Sequence, residues 1–299
     1  MNILVIGHRG YLGRGLFAYL SLRHRVIGWD KEEDLFNLDA AFLVRENIEL
    51  LINLSLVADR SSTAFRAGEA SDIVNVGGAR HLAKILKGSD ITWFQLSTRE
   101  VLSSVYGPKD VIQNETGYRP RFLVGEDAPY APRNFYGKSK LMAEFISESH
   151  PRSVVIRLTT GYTDFDRAGE GNWMIQLIRS ALQRTPVRLT RGGLQFRDPL
   201  HMDDLGRLVE QLHEKNVFSE RIHAGGGEQN LISLLEFVRL VDPQAGIESV
   251  PGGDFGFAFD NSKAFRLTGW KPRVLVRDRL SVLVDNVRRR RTQPLDTFR

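Results

Sequence analysis

An apolar run from Asn2 to Ile6 leads straight into Gly7-His8-Arg9-Gly10-Tyr11-Leu12-Gly13, and a helix-period pattern then continues to about Ser21. Strand, glycine turn and helix in immediate succession restrict the fold more than any other part of the chain. Gly7 suits the tight turn, Gly10 lets backbone approach a pyrophosphate, and Gly13 lets helix pack on strand. The helix N-terminus then faces the phosphates with its free N–H groups. Gly7, Arg9, Gly10, Tyr11, Leu12 and Gly13 are therefore candidate cofactor contacts. A ligand-free glycine turn is the plainer reading, and the position between first strand and first helix argues against it.

The rhythm of the turn's neighbours repeats. Short apolar runs at Arg25 to Trp29, Leu50 to Leu54, Ile91 to Leu96 and Ser153 to Leu158 alternate with longer helix-period stretches, one of them from about Ala70 to Leu86. Such runs, bounded by Gly, Asp or Ser, read as buried parallel strands joined by crossover helices. The fold class expected is α/β, a doubly wound parallel sheet of the Rossmann kind with a smaller C-terminal substrate lobe. Residues 1–160 are expected to form the dinucleotide domain, with about 196–225 returning to it, and 161–299 mainly the substrate lobe. Helices are expected near Trp173 to Gln183, Met202 to Leu212, Leu231 to Val241 and Arg277 to Val287. Residues 103–134 hold four of the 11 prolines and read as a long, turn-rich excursion.

Composition narrows the chemistry. With 299 residues, 42% of them hydrophobic and 26% charged, the chain is a folded globular protein rather than a disordered one. It has no cysteine, so thiol nucleophiles, thiolate metal sites and disulfides are excluded. No 18-residue apolar run and no charged leader ahead of an apolar core occur, so neither membrane spanning nor secretion is expected, and the cytoplasm is the expected compartment. The formal charge of +5 includes a run at Arg288 to Arg291. Phosphorylated small molecules and nucleic acid both suit a basic chain. A solvated helix end is the plainer account of that run.

The second strand ends at Trp29-Asp30, 17 residues beyond Gly13, near the spacing at which a carboxylate accepts from the adenosine ribose hydroxyls. Asp30 favours NAD, since a carboxylate repels a 2′-phosphate. Arg9 and Lys31 pull toward NADP, because a guanidinium could pair with that phosphate. Tyr136 and Lys140 stand four apart, on one helix face, and an ammonium beside a phenol lowers the phenol's pKa toward working pH. Tyr136 could then move the proton of a sugar or alcohol hydroxyl while hydride is exchanged with a nicotinamide. Ser97-Thr98 closes the Ile91 run at the sheet's carboxyl edge, where a hydroxyl could bind the reacting oxygen, although taken alone the pair is more often an ordinary strand-end cap.

Together these residues resemble the extended short-chain dehydrogenase/reductases, the nucleotide-sugar epimerase/dehydratase/reductase group. Asn75, the segment Arg197-Asp198-Pro199-Leu200-His201-Met202-Asp203-Asp204, and Asp260-Asn261-Ser262-Lys263 with Leu267-Thr268-Gly269-Trp270-Lys271-Pro272 extend the likeness to about residue 275. The resemblance implies Thr98, Tyr136 and Lys140 as catalytic residues and Glu100, Asn172 and Arg197 as substrate contacts, Arg197 on a diphosphate. It also implies a nucleoside-diphosphate sugar as partner and a homodimer. Gly225-Gly226-Gly227 is similar to a structural turn of the family. His201 with Asp203 and Asp204 could suggest a metal, but the two carboxylates have a helix to cap and no metal site is expected.

The likeness is incomplete at Ser97-Thr98-Arg99-Glu100-Val101. Family dehydratases carry Thr-Asp-Glu there, the Asp as acid and the Glu as base. Arg99 cannot donate a proton at neutral pH as a carboxylic acid does. Gly7-His8-Arg9-Gly10 also resembles the turn of NADP-dependent GDP-fucose synthases, whose cysteine step this chain cannot perform. The expectation is an NAD(P)-dependent epimerase acting at a ring carbon, C4, of a nucleoside-diphosphate sugar. The alternatives are a 4-ketoreductase, a dehydratase, or a non-catalytic dinucleotide- or RNA-binding relative.

Overall fold

The computed structural model describes residues 1–102, 105–165, 173–183 and 185–292. Strands β1 (Asn2–Ile6), β2 (Arg25–Trp29), β3 (Leu50–Asn53), β4 (Thr92–Thr98), β5 (Ser153–Leu158) and β6 (Glu220–Ala224) form one sheet. Their order is β6-β5-β4-β3-β1-β2, parallel throughout. The connection reverses direction between β1 and β3, so a crevice opens beyond their carboxyl ends.

Side chains alternate between the two faces of the sheet, as the period of two requires. Ile3, Val5, Leu50, Ile52, Phe94 and Leu96 enter one core, which α1 (Tyr11–Ser21) covers together with a later helix. Leu4, Ile6, Leu51 and Trp93 enter the other, beneath α2 (Ala40–Arg45), α3 (Gly78–Ile85) and α4 (Phe135–Ser147). Being buried on both faces, the central strands are continuous apolar runs, which is why they were legible.

Several expected boundaries shift. The strand expected over Ile91 to Leu96 runs from Thr92 to Thr98, so Ser97 and Thr98 are its last rungs, paired with Arg157 and Leu158. The helix expected from about Ala70 begins as a wide π-turn over Asp72–Gly77 before continuing as α3. That turn aims Asn75 at the loop after β3. Its side chain accepts from Val57 N (2.9 Å) and donates to Val57 O (2.9 Å) and to Ser139 Oγ (2.8 Å) on α4.

The second lobe gathers α5 (Trp173–Leu182), α7 (Leu234–Val241) and α9 (Val276–Thr292) around Ile178, Phe237 and Leu283. Between them in sequence, α6 (Met202–Glu214) returns to pack beside α1, and α8 (Ser262–Thr268) lies against α6. The carboxylates expected to cap α6 do other work. His201 caps it, Nδ1 accepting from Asp203 N, while Asp204 accepts from the amides of Arg273 and Val274, both at 2.9 Å. The buried carboxylate thereby anchors the C-terminal segment to α6.

The proline-containing excursion holds a hairpin, Val111–Asn114 with Gly117–Pro120, laid on the second lobe. Tyr118 N donates to Leu194 O at 2.7 Å, and the Tyr106 ring stands edge-on to Phe196 and Phe257. Among the described residues, no helix is long and apolar enough to cross a membrane, and no three His, Asp or Glu side chains gather as a metal-binding group.

Candidate active site

The glycine turn lies at the reversal point of the sheet. Gly7 adopts φ +84° and donates to Trp29 O at 2.8 Å, with Leu54 and Ser55 backbone against its missing side chain. At Gly13 a Cβ would overlap the Gly7 carbonyl oxygen, so only glycine lets α1 seat this close to β1. Gly10 caps α1 without a side chain, and the first turn contains no acid. The leading N–H groups and the positive end of the helix are therefore suited to a diphosphate. Leu12 packs against Gly161, and the Tyr11 hydroxyl lies 3.4 Å from both Thr163 N and Thr163 O.

At the far side of the turn, Asp30 accepts from Arg9 N (2.7 Å) and Lys31 N (2.9 Å), each oxygen keeping further acceptor capacity. The Arg9 guanidinium is paired with Glu32 at 2.8 Å and Glu33 at 3.3 Å. Glu33 also accepts from Asp30 N at 2.9 Å. Three carboxylates thus cluster at the end of β2, and the arginine expected to compete for a 2′-phosphate is already neutralised. This surrounding fits NAD.

At the carboxyl end of the sheet, β4 and α4 bring Thr98 beside Tyr136, with Lys140 one turn further along the helix. Asn134 caps α4 through Gly137 N (2.8 Å). A Cβ on Gly137 would stand 2.5 Å from Glu100 O, so the glycine allows the helix to touch the end of β4. Tyr136 and Lys140 are both buried. Burial raises the Tyr136 pKa above its usual 10, opposed by the Arg60 charge and a hydrogen bond from Thr98. Burial pushes the Lys140 ammonium down to about 8, with Glu144 opposing.

The cation acting on the phenol in this arrangement is thus Arg60, whose guanidinium carbon lies 4.8 Å from the ring centroid, where Lys140 was expected. Lys140 stands one turn further along α4 and feels Glu144. Glu144 in turn is paired with Arg157 at 2.7 Å, both fully buried, and accepts a short bond from the Ser97 hydroxyl.

Glu100, whose charge is felt by Tyr136, is held by Asn134 Nδ2 (3.2 Å) and lies 3.9 Å from Arg60 Nε. Arg197 donates to Phe196 O (2.7 Å) and to Asp254 Oδ1 (3.0 Å). Its neighbour Asp198 instead accepts from Phe259 N (3.0 Å), so an Arg197–Asp198 ion pair does not form. Asn172 lies outside the described residues. Gly225 closes a two-way contact with the Asn261 side chain, 2.9 Å in each direction, in keeping with a structural turn.

Sequence reasoning passed over Arg60, Asn134 and Asp254. Asn134 carried a signal: it is a preferred cap residue just ahead of Phe135-Tyr136. Arg60 and Asp254 sit in irregular loops, where spacing carries no information about the partner.

A family model described as the NAD dependent epimerase/dehydratase family matches residues 3–225. The chain is similar to a dTDP-glucose 4,6-dehydratase of Neisseria gonorrhoeae, 22% identical over 328 residues covering 91% of each chain. A UDP-glucuronic acid decarboxylase 2 of Arabidopsis thaliana is 26% identical over 226 residues, 72% of this chain and 48% of the relative. Among solved structures, the UDP-glucuronic acid 4-epimerase of Bacillus cereus in complex with NAD superposes with a TM-score of 0.79 at 22% identity, covering 97% of this chain and 99% of that one. The family model spans the sheet from β1 to β6, ending one residue beyond its last strand, and the chain belongs to the NAD dependent epimerase/dehydratase family, an enzyme family acting on nucleotide sugars.

Proposed function

We propose that this enzyme is an epimerase of a nucleoside-diphosphate sugar, acting at C4 of the ring. The observation carrying the choice is Arg99. Its guanidinium, paired with Asp254 at 3.3 Å, stands in the segment where dehydratases need a carboxylic acid. A Tyr136 phenol next to Thr98, with a buried lysine one turn away, supports alcohol–ketone chemistry without that acid.

In this reading the substrate hydroxyl lies between Thr98 Oγ1 and Tyr136 Oη. Thr98 orients it, and Tyr136 Oη takes its proton as the carbon is oxidised. Bound NAD supplies the acceptor and, once reduced, the donor. Arg60, over the ring, stabilises the Tyr136 phenolate that takes this proton, and the phenol so formed gives the same proton back to the oxygen once the ring has presented its other face. Lys140, in its charged form, holds the cofactor ribose, and Arg197 holds the substrate diphosphate.

An epimerase regenerates its cofactor at each cycle, whereas a reductase must exchange it. Release of nucleotide from denatured, purified protein is therefore the deciding measurement. Near one NAD per chain, with sugar epimers interconverted and no added cofactor consumed, is the expected result. Stoichiometric consumption of NAD(P)H during turnover would establish a reductase instead.

A further inference from the structure

Arg99 and Arg197 lie 98 residues apart in sequence and meet on one carboxylate. Arg99 follows Thr98 at the end of β4 and reaches Asp254 Oδ2 at 3.3 Å, while Arg197 reaches Asp254 Oδ1 at 3.0 Å. Two guanidinium groups against one carboxylate leave net positive charge in a cleft where the three side chains are 12–21% exposed. Although burial raises the Asp254 pKa, the two arginines outweigh it and hold the carboxyl below its ordinary value, so it is ionised at neutral pH.

The arginines have other supports. Arg99 lies over the Phe257 ring at 5.2 Å, and Arg197 donates to Phe196 O at 2.7 Å. Asp254, by contrast, is carried on Gly252-Gly253, whose φ values of +91° and +88° are open to glycine and strained for other residues. An oxyanion with one oxygen for each fork would satisfy both arginines just as the carboxylate does.

We propose that Asp254 is a resident counter-ion of the Arg99–Arg197 pair, displaced when an oxyanion group of the substrate binds, so that Arg99 is a substrate-binding cation. The proposal rests on the sugar-nucleotide reading for the identity of that group, which is either the diphosphate or a carboxylate on the sugar. Asp254 then competes with the ligand and sets its affinity. It also keeps two half-buried cations from facing each other unpaired.

The test uses the full chain, with binding read by thermal shift and calorimetry for inorganic pyrophosphate, UDP-glucose, dTDP-glucose and UDP-glucuronic acid. Asp254→Asn removes the competing charge and is expected to bind pyrophosphate on the order of tenfold more tightly than the parent chain. Arg99→Gln is expected to bind it on the order of tenfold more weakly if the diphosphate is the ligand, and to lose affinity for UDP-glucuronic acid alone if the sugar carboxylate is. Equal or weaker pyrophosphate binding by Asp254→Asn overturns the proposal. So does an Arg99→Gln variant that binds all four probes as the parent does, a result that stands even if Asp254→Asn does not fold. Tighter pyrophosphate binding by Asp254→Asn with no binding or turnover of any sugar nucleotide would keep the counter-ion and discard the sugar-nucleotide reading.

Discussion

At the scale of single residues, Tyr136 and Lys140 have opposed electrostatic positions within one turn of helix. Burial favours the neutral form of both, so the phenol keeps its proton more tightly and the lysine less tightly than in water. Tyr136→Phe removes the proton carrier and is expected to lower turnover on the order of 10²-fold or more, with nucleotide binding retained; steady-state rates and NAD content check it. Lys140 releases its proton near pH 8, against 10.5 ordinarily. Activity that needs the cation should fall as pH rises through about 8. Stability moves the other way. Between about pH 8 and 10.5 the unfolded chain binds more protons than the folded one, so stability contributed at this position rises with pH across that window. In Lys140→Met that slope disappears, which denaturation at a series of pH values would reveal.

At the scale of elements, α4 is held in place by three neighbours. Asn75 joins it to the π-turn and the loop after β3, Glu144 joins it to β5 through Arg157, and Gly137 lets it meet the Glu100 backbone. Asn75→Leu would leave the Val57 N–H without its acceptor, costing about 1–3 kcal/mol where water cannot reach, while Val57 O keeps the Ser71 hydroxyl at 3.0 Å. A fall of roughly 1–3 kcal/mol in unfolding free energy is expected, with a loss of activity because Arg60 lies on the same loop; urea denaturation and rates measure both. The same contrast explains what the sequence could show. β1, β2 and β5 fall where their apolar runs lie, and the turn at Gly7 to Gly13 is spelled out locally. β6 was not recognised because Glu-Arg-Ile-His-Ala is an edge strand without a continuous apolar run. The Val111–Pro120 hairpin escaped because its core partners, Leu194 and Ser233, are supplied by the other lobe. Arg60 and Asp254 were invisible for a related reason, since each acquires its meaning from a group at least 40 residues away in sequence.

At the scale of the whole molecule, the glycine turn and Tyr136 belong to the sheet and its helices, while Arg197 and Asp254 come from the chain that follows α5. Their joint wall is aromatic, with Tyr106, Phe196, Phe257 and Phe259 packed beside Val101 and Leu102. The sheet lobe contains the fully buried Arg157–Glu144 pair, and a single partner left there would be an uncompensated charge costing about 3–5 kcal/mol. That pair gives α4 a property of a different kind. Loosening the helix by itself would leave the buried Arg157 with Tyr130 and His223 beside it and without its counter-charge, so local opening of α4 is penalised as heavily as opening much of the sheet. Backbone amides of Lys140 to Ser147 should therefore exchange with deuterium only through global unfolding, while those of the 111–120 hairpin exchange through smaller openings. Hydrogen exchange followed by mass spectrometry checks the ranking; faster exchange in α4 than in the hairpin would contradict it. The helix carrying Tyr136 would then be among the last parts of the protein to lose its shape, and damage by heat or denaturant would reach the 111–120 hairpin well before it reached the phenol.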